Sequence, residues 1–131
     1  MQGKRGSVGV APTTYAVEHL GISAKQALRF LTPGQYLHVA GICDTYLPNF
    51  GTPTATVAMN IGRVEDNLWC FTESGSVLGN LEVRSYFGVL SEFRQIVVAG
   101  HEKVQHEGGP RPHVIQAMKT RVEYQERRLA G

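Results

Sequence analysis

Asn67-Leu68-Trp69-Cys70-Phe71-Thr72-Glu73-Ser74-Gly75-Ser76 is the stretch on which the fold turns. It opens as an apolar, aromatic run of strand type and breaks into a corner carrying the hydroxyls of Thr72, Ser74 and Ser76. A strand of that composition is fixed by core burial, so the polar corner at its end is held in a defined place, as a binding loop must be. The same Thr, Ser and Gly also make an ordinary turn.

Upstream, residues 54–61 alternate apolar Ala55, Val57, Met59 and Ile61 with Thr54, Thr56, Ala58 and Asn60, the period of a strand with one core face. Glu65-Asp66-Asn67 then reads as the tight turn of an antiparallel hairpin. Downstream, Ser76 caps a short helix over residues 76–81, and residues 83–89 and 95–100 read as two more strands, turning near 91–94, the second extending toward Gln105. Val114, Ile115, Met118, Val122 and Leu129 recur at helical spacing over 112–129, behind a proline where the first turn tolerates one.

The N-terminal half is read the same way. Tyr36, Leu37, Val39, Ala40 and Ile42 give residues 35–43 the content of a buried strand that contains His38. Ser23 caps a helix over 24–31, stopped by Pro33-Gly34, and residues 15–20 make a helical turn. The loop 44–53 holds Tyr46, Leu47 and Phe50, which must bury against something. Residues 1–14, with Gly3, Gly6, Gly9, Pro12, Lys4 and Arg5, are expected to form a flexible arm, leaving residues 15–131 as one domain.

With 131 residues the chain can bury about two thirds of its unfolded surface in one core. Hydrophobic residues at 42% against 18% charged leave the surface short of charge, which a homo-oligomer would explain. A net charge of +2 gives no polyelectrolyte signature, so nucleic acid is not an expected partner. Arg121, Arg127 and Arg128 read as a solvated helix face, since a nucleic-acid patch wants more of them and aromatic companions. Two cysteines in apolar runs, Cys43 and Cys70, suit a reducing, cytoplasmic setting, and no apolar run approaches the roughly 18 residues of a membrane span. His101, His106 and His113 match no compact metal-ligand spacing.

The order of these elements is an antiparallel barrel with helical additions. The runs 27–31 and 34–40, Gly51-Thr52-Pro53, residues 66–72, Ser76, Asn80-Leu81 and residues 96–104 together resemble the pyridoxamine 5'-phosphate oxidase-like, FMN-binding split-barrel family. The resemblance implies a mainly β split barrel with short helices and a C-terminal helix, a homodimer, and FMN in a groove between subunits. By position Thr72, Ser74 and Ser76 would hold the flavin phosphate, and Thr56, Ala58 and Asn60 would line the ring. Val77 and Leu78 depart from the family, standing where flavin-binding members carry basic residues to offset the phosphate charge. The expected function is therefore an FMN-dependent oxidoreductase acting on a small molecule. The alternative is a non-catalytic small-molecule-binding or interaction barrel that has lost the flavin, and a third reading is an oligonucleotide-binding barrel.

Overall fold

A capping box opens the first long helix. Thr32 Oγ1 accepts from the Gln35 backbone N–H at 3.1 Å, and Gln35 Oε1 accepts from the Thr32 N–H at 3.0 Å. Pro33 occupies the first turn, where its missing N–H costs nothing, and the chain runs helically from Pro33–Tyr46 as α2. The computed structural model describes residues 14–105 and 108–131, with the side chains of Thr54, Thr56 and Val57 excepted. The expected arm over 1–14 therefore lies, save Thr14, outside the described residues.

In chain order the elements are β1 (Ala16–His19), α1 (Gly21–Ala27), α2, α3 (Pro53–Met59), β2 (Gly62–Glu65), β3 (Leu68–Glu73), β4 (Val83–Leu90), β5 (Gln95–Lys103) and α4 (Pro112–Ala130), with short 3-10 turns at Leu47–Asn49, Ser76–Leu78 and Ser91–Phe93. The strands form one open sheet in the order β1-β5-β4-β3-β2, antiparallel throughout except that β1 runs parallel to β5. Both faces are covered. On one, Met118 and Val122 of α4 pack with Leu68, Tyr86, Leu90, Val97 and Ala99. On the other, Cys43 and Leu47 at the end of α2 and Met59 of α3 pack with Phe71, Phe87, Ile96 and Val98. Two-sided burial is why β4 and β5 read as near-continuous apolar runs.

This architecture overturns the split barrel. It is a mixed α/β domain around an open sheet, and two segments expected as barrel strands are helices. Residues 35–43 lie in α2, because the Thr32/Gln35 box and Pro33 set a helix start that outweighs the β-branched content behind it. Residues 54–61 are mostly α3. Thr52 Oγ1 accepts from the Ala55 N–H at 3.4 Å at its start, and Asn60, with φ 52°, adopts the left-handed conformation that ends helices. Pro33-Gly34 starts a helix rather than stopping one, and residues 15–20 hold β1 rather than a helical turn. With those strands gone the sheet cannot close on itself.

The chain from Leu68 onward follows its sequence pattern. The turn at Asp66-Asn67 is present, its first residue at φ 49°, although the strand before it is the short β2. Asn67 then acts like a strand residue. Its Nδ2 donates to the Val89 carbonyl at 2.7 Å and its Oδ1 accepts from the Val89 N–H at 3.1 Å, extending the β3 ladder on β4 by one rung. No helix among the described residues is long and apolar enough to cross a membrane.

Candidate functional site

The corner after β3 is the first place to look. Thr72 is exposed near the end of β3, and Ala58 approaches it from α3, so two of the six nominated residues line one groove of about 190 Å³. Ile42 and Tyr46, one helical turn apart on α2, supply its other wall, and Met59, Phe71 and Glu73 complete it. Asn60 serves as the terminator of α3, and Thr56 belongs to that helix with its side chain outside the described set. Ser74 and Ser76 are exposed at the following turn, where Gly75 sits at φ 136° and the Val77 carbonyl accepts from Gln35 Nε2 at 3.2 Å.

The charge in this groove has the wrong sign for a flavin phosphate. Its one charged lining residue is Glu73, whose only described ion-pair partner is His38 Nε2 at 3.6 Å. A dianionic phosphate would meet a carboxylate with no Lys or Arg among the described lining residues to offset the lost hydration. FMN, and the oxidoreductase built on it, are therefore corrected along with the barrel that was to share the cofactor between subunits.

The histidines disperse. His38 is on α2, His113 is exposed in the first turn of α4, and His106 lies outside the described residues. Among the described residues no three His, Cys, Asp or Glu side chains gather as a metal site. His101, on β5, is buried, and its Nδ1 lies 2.8 Å from Ser85 Oγ across the β4–β5 pair. Burial, and secondarily the nearby His19, lowers its pKa from the ordinary 6.5 to about 4. A serine and histidine in contact suggest nucleophilic chemistry, but Ser85 is only 1% exposed and His101 only 3%, so no substrate reaches them. His101 Nε2, Ser23 Oγ and His19 Nδ1 are also buried without a hydrogen-bond partner among the described residues.

A larger groove lies where α1 meets the C-terminal half of α4. Helical spacing puts Thr120, Arg121, Tyr124, Arg127 and Arg128 along one stripe of α4, opposite Leu20, Gly21 and Ile22, around about 460 Å³. The floor is apolar, and Ile22 and Tyr124 remain 46% and 56% exposed, more than a solvent-facing helix would choose. The guanidiniums are positioned. Arg121 Nη1 donates to the Ala99 carbonyl at 3.0 Å, and burial lowers that guanidinium's pKa. Arg128 Nη1 donates to Gln125 Oε1 at 3.0 Å while its guanidinium carbon lies 5.9 Å from the Tyr124 ring centroid. Among the described residues, no carboxylate lies within ion-pair distance of Arg121, Arg127 or Arg128.

The acidic groups of α4 face elsewhere. Glu123 and Glu126 border the hairpin side with Asp66, where Lys119 Nζ donates to Glu65 at 2.6 Å and to Asp66 at 2.8 Å. That contact holds the Asp66 carboxyl below its ordinary pKa and raises Lys119. The helix thus separates its charges, leaving the α1 side wholly basic. The arginines of this stripe are legible in the sequence at helical spacing, and Tyr124 shares their face. The apolar half, Leu20 and Ile22, comes from a segment about a hundred residues away and leaves no local signal. No protein-family model, curated protein or solved structure matches this chain at a significant level.

Proposed function

We propose that this domain is a binding module whose α1–α4 groove docks an acidic segment of a partner protein that also carries apolar side chains. The observation that carries the reading is three guanidiniums without a described carboxylate partner around an exposed Ile22 and Tyr124. Arg and Tyr are the residue types that dominate interface hot spots, and an apolar floor desolvates the ion pairs that form above it. A polynucleotide is the poorer complement, because the formal net charge is only +2 and the floor is aliphatic as well as aromatic. The chain's own residues 1–13 do not suit the groove either, since they carry Lys4 and Arg5 and no acidic residue.

Fluorescence anisotropy with labelled probes tests this. A short helical peptide alternating Glu with Leu and Phe on one face should bind in the micromolar range, roughly −8 kcal/mol at best, and weaken as salt is added. Reversing Arg127→Glu and Arg128→Glu together should weaken it about tenfold or more, each tenfold being about 1.4 kcal/mol. Equal binding of the Lys counterpart of that peptide would refute the reading. So would preferential binding to phosphatidylserine vesicles or to a single-stranded oligonucleotide. Self-association abolished by the same reversals would replace the foreign partner with a second copy.

A further inference from the structure

The three buried atoms without a partner among the described residues, His19 Nδ1, Ser23 Oγ and His101 Nε2, belong to neighbouring parts of the fold. All three side chains lie on the α2 side of the sheet, where β1 runs beside β5. His19 turns that way because its Nε2 lies 2.7 Å from Asp44 Oδ1 on α2. His101 does so too, its ring meeting Tyr36 of α2 edge-on with centroids 6.0 Å apart. Parallel pairing sets His19 opposite Val98, and His101 follows three residues along the same strand. From Leu20, whose N–H donates to the Val98 carbonyl at 3.2 Å, the chain enters α1, which packs along β5. The buried stripe of α1 is Ser23 and Ala27, four residues apart, and Ala27 clusters with Val39 of α2 and Val83 of β4. Leu20 stands at Val98 and Ala27 near Val83, which pairs with Lys103, so Ser23 between them is level with His101.

We infer that this point binds one internal water, which donates to His19 Nδ1 and to His101 Nε2 and accepts from the Ser23 hydroxyl. The bond on the far edge of each ring fixes what the near edge needs. A carboxylate only accepts, so His19 Nε2 carries the hydrogen, and Nδ1 of the neutral imidazole is a bare acceptor. At His101 the Ser85 hydroxyl, 2.8 Å from Nδ1, accepts that nitrogen's hydrogen and leaves Nε2 as the second acceptor. Ser23 brings an O–H donor. Two acceptors and one donor are what a single water satisfies, and buried waters commonly bridge such groups. A divalent metal fits less well, because two neutral imidazoles and a hydroxyl supply no negative charge, and Asp44 meets His19 at its other nitrogen. The lowered pKa of His101, about 4, keeps that ring the neutral acceptor the arrangement requires. So placed, the water ties α1 to β1 and β5.

A high-resolution crystal structure of the whole chain reads the site directly. One water peak is expected within about 3.2 Å of His19 Nδ1, Ser23 Oγ and His101 Nε2. Stability gives a second reading. Ser23→Ala should raise the unfolding equilibrium constant in urea melts about threefold, although alanine is the better helix former, because the water loses the donor it accepts from. A hydroxyl with no partner would behave in the opposite sense, its removal leaving the protein as stable or more so. Should Ser23→Ala fail to fold, the water peak in the unmodified chain still decides the matter. Direct contact of Ser23 Oγ with either histidine in place of a water, an anomalous signal from a metal at that point, or a neutral or stabilising Ser23→Ala would overturn the inference.

Discussion

Helix α4 lies on the sheet over two glycines, and Gly88 is the less forgiving of them. A Cβ at Gly88 would stand 2.4 and 2.8 Å from the two Val122 methyls and 3.2 Å from the Asn67 carbonyl oxygen. Val122 cannot turn away, because a β-branched side chain in a helix has one strongly preferred rotamer. Asn67 is held in place by its side-chain amide, which donates to the Val89 carbonyl and accepts from the Val89 N–H. Gly88→Ala should therefore cost about 2–3 kcal/mol of overpacking, offset by about 0.5–1 kcal/mol from replacing glycine in a strand. The net is a loss of about 1–2.5 kcal/mol, or roughly 4–9 °C in Tm for a chain of this size. Val122→Ala alone should cost about 1–2 kcal/mol, two buried methyls less a small gain in helix propensity. In the double variant the new methyl occupies part of the space the valine vacates, so the two losses should fall short of additive by at least about 1 kcal/mol. Urea melts of the four proteins measure this. Strict additivity, or a neutral Gly88→Ala, would show that α4 does not sit on the sheet at this glycine.

His101 is neutral in the folded protein down to about pH 4 but takes up a proton near 6.5 when unfolded. The unfolded chain therefore binds more protons between those values, so stability should be full above pH 6.5 and fall by about 3 kcal/mol as pH drops toward 4. Urea melts from pH 7.5 to 4.5 should show this slope flattened in His101→Gln, and an equal slope in both proteins would refute it. At the start of α2, Thr32→Ala should cost about 1 kcal/mol by losing the capping bond, with Thr32→Ser restoring most of it. An unchanged Tm in Thr32→Ala would mean that the cap does not set where α2 begins.

What could be read from the sequence divides near Leu68. Beyond it, the strands over 68–72, 83–89 and 95–100 and the helix over 112–129 are all present within a few residues, because long apolar runs punctuated by turn residues leave little room for another period. Before it, composition and punctuation point to different elements. Tyr36, Val39 and Ile42 suit a strand, yet Thr32-Pro33-Gly34-Gln35 is a complete helix-start signal, and local capping decides when the apolar residues satisfy either period. The alternation in residues 54–61 misled similarly. Its small residues, Ala55 and Ala58, fit a helix turning over the sheet, and the Thr52-Pro53 pair marks where it starts.

The two grooves show what local sequence leaves out about a site. Hydroxyls at Thr72, Ser74 and Ser76 suggest a phosphate cradle, but the sign of a site comes from the charge nearest the ligand, and Glu73 stands between Thr72 and Ser74. At the other groove the arginines have an aromatic companion, since Tyr124 lies three residues beyond Arg121 and four before Arg128 and therefore shares their face. What no sequence pattern carried was the depth at which α4 sits. A Cβ at Gly100 would meet Met118 Cε at 2.5 Å and Arg121 Nη1 at 2.9 Å, so the absence of a side chain there lets α4 approach closely enough for Arg121 to reach the Ala99 carbonyl. The bulge in β5 opposite Tyr86 and Phe87 contributes the same residues, Ala99 and Gly100, to that contact. The basic wall of the α1–α4 groove is thus set by strand irregularity and a missing Cβ, features that act only once the sheet and helix are packed together.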